Sequence, residues 1–419
     1  MKYVPASSFT LLNLTGQKHR RLYAEYKKTP NWWEPNSWFE HPYMLITAFY
    51  GIEEPDFREK YNIPKEGFEL FGDSGGFQNY KGDRGLKPLD VLRWQEKNCD
   101  IGFSLDYPLI VKDNGTDVKI KNKYSINNIN NIINKRENYD MGYYACVHGW
   151  NEKQIKDYHN SLPKDGIDGW GVGECSATDD SAEGIISRIA LEVSLNENKL
   201  PMHILGCCSA LMIGFLALVE KKEGITISYD STAYSNGAMY RWFHLNGMKK
   251  DKAKLNADVS DKDVKLLLKE CGCPICKDAK ISDLKGSDSE AGTLISLHNL
   301  WHEIQMDKDI TKMTEKPKDL FKFLWKGYND RGRYNRIIRM MKEYLDTDLD
   351  RFVKKYPYNN KFNAHRNVQL ESWLGVERTE LKMAEERLQK SSKKKKAKKK
   401  VEIVKEEPKY ELKDEDWDI

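Results

Sequence analysis

Short apolar segments recur along the first 240 residues of the chain, and longer amphipathic or polar stretches separate them. Most of the intervals are long enough for a helix, which is typical of βα units with parallel strands. Seven such segments, with Tyr3–Val4 as a candidate eighth, predict an α/β fold of the (β/α)8 TIM-barrel type rather than an open sheet. They are Tyr43–Phe49, Phe68–Phe71, Ile101–Leu105, Tyr143–Val147, Gly169–Val172, Met202–Leu205 and Ile225–Tyr229.

A polar residue or a glycine follows each of six consecutive segments. In a (β/α)8 barrel the functional side chains lie where the strands end, around one mouth. A single acidic residue after a strand is usually a turn residue or a helix cap. Three aspartates in one series are harder to explain in that way, so we expect them to share a site. The six positions are Asp73, Asp106, His148, Gly173, Gly206 and Asp230.

The composition limits the class of protein. The chain has 419 residues, of which 39% are hydrophobic and 32% charged, and its net charge is only +4. This is typical of a globular protein with a charged extension, and the charge is too small to indicate nucleic-acid binding. Eight cysteines in a long chain without a secretory signal favour a reducing, cytoplasmic setting and metal ligation over a disulfide framework.

One segment resembles a membrane span at first sight. Met202 to Val219 is almost wholly apolar over 18 residues, but it contains His203, Gly206 and Ser209. A buried strand, a tight turn at Gly206 and a core helix account for it better than a span.

The chain divides by composition into four regions. Residues 1–245 are expected to form the barrel core, and 246–310 a zinc-binding subdomain with the final barrel elements. Residues 311–380 are expected to be helical, with helices over Leu320–Trp325 and Tyr334–Tyr344. Residues 381–419 contain seven lysines between Lys393 and Lys400 and an acidic end, and are expected to be disordered. Two interpretations of these lysines remain open, a salt-sensitive attraction to polyphosphate and a solubilising role.

A cluster of metal ligands lies in the second of these regions. Cys271, Cys273 and Cys276 bring three thiols within six residues, and His298 or His302 can complete the set. Three cysteines and one histidine fill a tetrahedral zinc shell without an open position, so we expect one structural Zn²⁺. An iron–sulfur cluster is disfavoured because a fourth clustered cysteine is missing.

Two motifs resemble those of the guanine transglycosylases, which exchange guanine for a 7-deazaguanine in nucleic acid. Asp73–Gln78 reads DSGGFQ, and the cysteine cluster is followed by His298-Asn299-Leu300. The resemblance extends from about residue 70 to 310. It implies a TIM barrel, a homodimer, and His298 rather than His302 as the fourth zinc ligand.

The resemblance also implies the roles of three aspartates. Asp73 stands at the position of the family's general acid/base, and Asp230, followed by Asn236-Gly237, at that of its nucleophile. The chemistry suits these residues, since one carboxylate can attack the sugar C1′ while a second manages protons. Asp106 stands where the family recognises the N–H and amino edge of the base, which a carboxylate accepts well.

Further residues are implied to bind the base. The segment Gly169–Glu174 resembles a family strand whose backbone and glutamate line the pocket, and His148 stands where the family usually has glutamine. The expected substrate-binding residues beside Asp106 are Ser74, Gly75, His148, Gly169, Trp170, Glu174 and Leu205.

The choice of nucleic acid depends on a departure from the family pattern. The segment from Asp230 to Gly237 is shorter than in the tRNA enzymes and lacks both arginines that grip RNA, and no recognisable RNA-binding module follows. These departures resemble the DNA-guanine transglycosylases of phage and bacterial DNA modification, which insert bases such as preQ0. The expected substrate is therefore DNA in a bacterial or phage-infected cell. The alternatives are a tRNA enzyme and a non-catalytic zinc-stabilised subunit that binds nucleic acid, although the presence of both Asp73 and Asp230 disfavours the latter.

Overall fold

A computed structural model of the protein describes most of the chain before residue 360. The described residues are 1–7, 24–78, 85–110, 113, 115–163, 165–173, 175, 182–244, 252–255, 259–286, 289–328 and 332–359. Glu174 and the lysine-rich segment 381–419 lie outside them.

Eight parallel strands form one sheet in the order β1-β8-β7-β6-β5-β4-β3-β2. The sheet closes on itself through a bridge between Ala6 and Leu45, where the amide of Ser7 donates to the carbonyl of Leu45 at 2.8 Å. The predicted (β/α)8 barrel is therefore confirmed, with Tyr3–Val4 inside its first strand. The strands are β1 Lys2–Pro5, β2 Tyr43–Thr47, β3 Glu69–Asp73, β4 Ile101–Phe103, β5 Gly142–Val147, β6 Gly169–Val172, β7 Met202–Ile204 and β8 Ile227–Ser231.

Two strand ends differ from the predicted segments in a way that matters for the site. β3 continues to Asp73 and β8 continues to Ser231. At these ends the backbones still pair with neighbouring strands: Asp73 pairs with Thr47 of β2, and Asp230 pairs with Val4 of β1. Both aspartates therefore lie within the ladder rather than after it. A carboxylate held in a hydrogen-bonded strand has a better defined position than one on a loop.

Side chains from alternate positions fill the barrel interior. Near its N-terminal end, Lys2 donates to both carboxylate oxygens of Glu69 at 2.7 Å. The opposite faces of the strands pack under the surrounding helices, which gives the larger part of the core. The buried interior cluster consists of Val4, Ala6, Leu45, Phe71, Phe103, Tyr144 and Cys146.

Helices follow most strands and continue beyond the barrel. Within the barrel region they are α1 Ala48–Gly51, α2 Phe57–Lys60, α3 Pro88–Asn98, α4 Gly115–Ile132, α5 Glu152–Asn160, α6 Ala182–Leu195, α7 Ala210–Glu223 and α8 Ala233–Met239. A two-stranded antiparallel ribbon follows, β9 Trp242–His244 with β10 Lys252–Lys254. The remaining helices are α9 Asp261–Glu270, α10 Pro274–Asp278, α11 Ile281–Lys285, α12 Ser289–Met313, α13 Pro317–Tyr328, α14 Gly332–Asp346 and α15 Leu349–Lys355.

The apolar segment Met202–Val219 forms the predicted strand, turn and helix. Gly206 adopts a positive φ of 72° at the turn, and α7 is buried along most of its length against α12 and the last helices. None of the helices in the described part of the chain combines the length and apolar character that a membrane span requires. The predicted helices over Leu320–Trp325 and Tyr334–Tyr344 are confirmed as parts of α13 and α14.

Candidate active site and cysteine–histidine cluster

The last residue of β3, Asp73, lies at the barrel mouth, and the turn that follows holds its side chain. Gly75 has a φ of 80°, a conformation that favours glycine, and its amide donates to Asp73 Oδ2 at 3.2 Å. Gly76 lies against the next strand end, where an added Cβ would stand 2.4 Å from the carbonyl and carboxylate oxygens of Asp106. The two glycines therefore allow the aspartates of β3 and of the segment after β4 to approach each other.

The surroundings of Asp73 favour its protonated form. Burial, and then the negative charge of Asp106, raise the pKa of Asp73 from 3.8 to about 7, and Asp230 adds to the rise. Hydrogen bonds from Thr47 and from the amide of Gly75 oppose the rise. A carboxyl group with a pKa near 7 can both give and take a proton under physiological conditions.

Asp106 is held by a network at the same mouth. Its Oδ1 accepts a hydrogen bond from Ser74 Oγ at 2.8 Å, and its Oδ2 lies 2.6 Å from Nε2 of His148. Ser74, Asp106 and His148 are all buried. The structure therefore joins three of the predicted substrate-binding residues, and Asp106 has a fixed orientation in which each oxygen already has one partner.

Asp230 lies on β8, and the turn after β7 holds it. The amide of Gly206 donates to Asp230 Oδ1 at 2.7 Å, and Nε2 of His203 lies 3.3 Å from the same oxygen. The side chain is 12% exposed. Because Asp106 and Asp230 both raise the pKa of Asp73, each of them is close enough to Asp73 to interact with it.

The remaining predicted base-binding residues lie in different parts of the barrel. Leu205 follows β7 and packs over the interior cluster. Gly169 begins β6, where an added Cβ would collide with the ring of Tyr144, and Trp170 packs outside against His159 and donates to Asn196. The structure does not bring Gly169 and Trp170 to the mouth, so their role in base binding stays a prediction. The predicted contribution of Glu174 falls outside the described residues.

Several residues of the mouth had no predicted role. Thr47 and the amide of Gly206 each donate to one of the aspartates, and His203 contacts Asp230 from inside the barrel. Sequence signals existed for Gly206, one of the six positions that follow the apolar segments, and for His203, the one polar residue of Met202–Leu205. The contacts of Thr47 depend on which strand lies beside it.

The predicted metal ligands converge on one point. Nδ1 of His298 lies 3.2 Å from the sulfur of Cys273, 3.3 Å from that of Cys276 and 3.8 Å from that of Cys271. Two ligands of a tetrahedral zinc, one sulfur and one nitrogen, are separated by about 3.5 Å. His302 lies 3.2 Å from Cys271, and its ligand atom belongs with those of Cys271, Cys273 and His298 to a group spanning at most 4.8 Å.

Hydrogen bonding around the cluster selects His298 as the better ligand. Its Nε2 lies 2.5 Å from the carbonyl oxygen of His244, so this nitrogen carries the proton and Nδ1 is free to bind a metal. Only His298 contacts all three thiols in the hydrogen-bond geometry, whereas His302 contacts Cys271 alone. The neighbouring thiols of Cys271 and Cys273 raise the pKa of Cys276 well above its usual range, because a charge on one thiolate disfavours ionisation of the next.

Comparison with known proteins gives the family. A search of curated proteins finds no significant match. A comparison with sequence models of protein families matches residues 66–316 to the family described as queuine tRNA-ribosyltransferase. The match spans the strands from β3 to β8 and the cysteine–histidine cluster. Since it covers more than half of the 419 residues, the chain belongs to the queuine tRNA-ribosyltransferase family.

Proposed function

We propose that the protein is a guanine transglycosylase that replaces guanine in DNA by a 7-deazaguanine such as preQ0. Membership of the queuine tRNA-ribosyltransferase family supports exchange of guanine in a nucleic acid. The observation that carries the proposal is the electrostatic interaction of Asp73 with Asp230 at one barrel mouth. A carboxyl group that keeps its proton beside a second carboxyl group is the acid/base and nucleophile arrangement that glycosidic exchange needs.

The first half of the reaction cleaves the bond to guanine. A carboxylate oxygen of Asp230 attacks C1′ of the sugar, and the bond from C1′ to N9 of guanine breaks with its electron pair going to the base. Asp73 in its protonated form supplies the proton that guanine takes as it leaves. The products are a covalent ester between Asp230 and the sugar, free guanine and an ionised Asp73.

The second half inserts the new base. Asp73, now ionised, takes the proton from the ring nitrogen of the 7-deazaguanine, and that nitrogen attacks C1′ and displaces Asp230. Asp106 accepts hydrogen bonds from the N–H and amino groups at the edge of the base. Ser74 and His148 fix the orientation of the Asp106 carboxylate. Asp73 is thereby protonated again, and Asp230 returns as a carboxylate.

The segment after Asp230 supports DNA rather than tRNA. It forms the short helix α8, in which Asn236 donates to Thr232 and the carbonyl of Tyr234 accepts from Asn299. It contains no arginine, and the next one, Arg241, donates to the carbonyl of Gly286. The positively charged grip on RNA that the tRNA enzymes carry after the nucleophile is therefore missing from this segment.

We propose that Cys271, Cys273, Cys276 and His298 hold one structural zinc ion within the subdomain of residues 246–310. The donor set and the separations of its atoms fit a tetrahedral ion with no open position. When bound, the ion would supply stability and not catalysis.

The decisive experiment offers one base to several polymers. The purified protein is incubated with preQ0 and single-stranded DNA, duplex DNA or tRNA, and modified nucleosides are measured by mass spectrometry. Single-stranded DNA belongs in the set because a base must leave its stack before it can be exchanged. We expect incorporation into DNA. Incorporation into tRNA alone contradicts the DNA substrate and favours the tRNA alternative.

Trapping of the covalent ester tests the catalytic roles. The unaltered protein should form an adduct with the polymer that denaturation does not release, and Asp230→Asn should abolish it. Asp157→Asn is the matched control, since Asp157 is an exposed carboxylate of α5 paired with Lys153. Binding without adduct in every variant identifies a non-catalytic subunit.

A further inference from the structure

His203 occupies an unusual position for a histidine. It lies on β7 with its side chain inside the barrel, fully buried against the rings of Phe71 and Phe103 at centroid distances of 5.4 and 4.9 Å. Both ring nitrogens nevertheless face polar groups of β8. Nδ1 lies 2.9 Å from Ser228 Oγ, and Nε2 lies 3.3 Å from Asp230 Oδ1.

The hydrogen bonds of Ser228 indicate which ring nitrogen carries the proton. The hydroxyl has one hydrogen, and its two acceptors are Nδ1 of His203 at 2.9 Å and the carbonyl oxygen of Met202 at 3.4 Å. Donation to the nearer acceptor leaves the ring proton on Nε2, which then donates to Asp230. The opposite tautomer would place a lone pair against the carboxylate.

The two donors to Asp230 reach the same oxygen. The amide of Gly206 and Nε2 of His203 both contact Oδ1, and no hydrogen bond to Oδ2 occurs among the described residues. One oxygen is therefore anchored by a backbone and a side-chain donor, and the other is available for reaction. A nucleophilic carboxylate needs this kind of fixed orientation.

We propose, on the basis of the proposed function, that His203 is a positioning residue that orients Asp230 for attack through the chain Ser228 to His203 to Asp230. It touches neither base nor sugar, and it acts by holding Oδ1 so that Oδ2 faces C1′. Its contacts with Ser228 and Asp230 and its packing against two phenylalanines favour one orientation of the ring, which makes the hydrogen bond directional.

Two substitutions separate this role from simple packing. His203→Phe keeps an aromatic ring against Phe71 and Phe103 and removes both nitrogens. His203→Gln loses the ring but can place an amide N–H near the position of Nε2. We expect the phenylalanine variant to fold, to bind the polymer with an unchanged KM, and to form the covalent adduct about 100-fold more slowly. The glutamine variant should form the adduct about tenfold faster than the phenylalanine variant, despite its poorer packing.

The tautomer provides a readout independent of activity. In protein labelled with ¹⁵N-histidine, the signals that disappear in His203→Phe identify this ring. They should show a protonated Nε2 and an unprotonated Nδ1, and Asp230→Asn should shift the Nε2 signal. A protonated Nδ1 beside an unprotonated Nε2 contradicts the proposal.

The outcomes distinguish the two proposals. If the unaltered protein forms no adduct with any polymer, the proposed function is wrong. The ¹⁵N signals of His203 then test its hydrogen bond to Asp230 without any measurement of activity. If it is active and His203→Phe is equally active, only the positioning role is wrong. An adduct rate that falls equally in the phenylalanine and glutamine variants also contradicts positioning, because a restored N–H donor near the position of Nε2 then brings no gain.

Discussion

Asp73 carries an energetic cost that links the site to protein stability. Its pKa rises to about 7, first through burial and then through the charge of Asp106. The unfolded chain releases this proton near pH 4, whereas the folded protein keeps it until about pH 7. Between these values the folded state binds more protons, so the contribution of Asp73 to stability falls as the pH rises.

The substitution Asp73→Asn should remove this dependence. At pH 8 we expect the free energy of unfolding of the variant to exceed that of the unaltered protein by about 1–2 kcal/mol. This is less than the full pKa shift of Asp73 implies, because the mouth admits water. The difference should narrow toward pH 5. Urea denaturation at the two pH values measures it, with Asp157→Asn as the control. An equal difference at both pH values would show that ionisation of Asp73 is not its cause.

The close approach of Gly76 to Asp106 can be tested by substitution. In Gly76→Ala the new Cβ would meet the carbonyl and carboxylate oxygens of Asp106 at 2.4 Å, and neither can withdraw without breaking the network to Ser74 and His148. We expect a loss of about 1–3 kcal/mol in the free energy of unfolding, together with slower base exchange. Gly184→Ala in α6 is the control, because an added Cβ there meets nothing within 4 Å. Equal stability of the two variants would contradict the clash.

At the scale of elements, α12 connects the metal cluster to the active-site strands. One face of this helix carries His298, and Asn299 bonds to the carbonyls of Tyr234 and Trp242. Further along, Glu303 accepts from Tyr3 of β1 and Asp307 accepts from Tyr229, the neighbour of Asp230 on β8. A loss of order at the cluster should therefore reach the segment that holds the proposed nucleophile.

The substitution Cys273→Ser tests this connection. We expect loss of bound zinc and a melting temperature lower by about 10 °C, because binding of a structural metal is coupled to folding. Activity should fall in parallel with the folded fraction. Cys208→Ser, a thiol outside the cluster, should retain zinc and stability. Normal stability with lost exchange activity would show that the metal is not structural.

At the scale of the whole molecule, the lysine-rich segment concentrates positive charge in a chain with a net charge of only +4. Seven lysines between Lys393 and Lys400 can attract a polyphosphate without regard to sequence. Replacing these lysines by glutamine should leave the melting temperature and the maximal exchange rate unchanged, while the KM for DNA rises at low salt and depends less on salt. Deletion of residues 381–419 should act in the same direction. An unchanged KM at low salt would favour the solubilising interpretation.

Much of the fold was predictable because its signals are local. Apolar segments spaced for intervening helices indicate parallel strands, and the barrel has these strands. The strand, turn and helix of Met202–Val219 and the helices after residue 311 were likewise predictable from nearby residues. The cysteine spacing identifies a candidate metal site because three ligands lie within six residues. The places of Asp73 and Asp230 next to the ends of apolar segments likewise predict that both lie at one barrel mouth.

The orientation of the site groups depends instead on residues far apart in the chain. Sequence spacing could not show that Asp106 is bound between Ser74 and His148, that His203 faces Asp230, or that Gly169 and Trp170 lie away from the mouth. These contacts are set by the register of neighbouring strands, in which a shift of one residue turns every side chain to the opposite face. The residue types available for the chemistry are thus a property of the sequence, whereas their partners and protonation follow from the closure of eight strands around a buried interior.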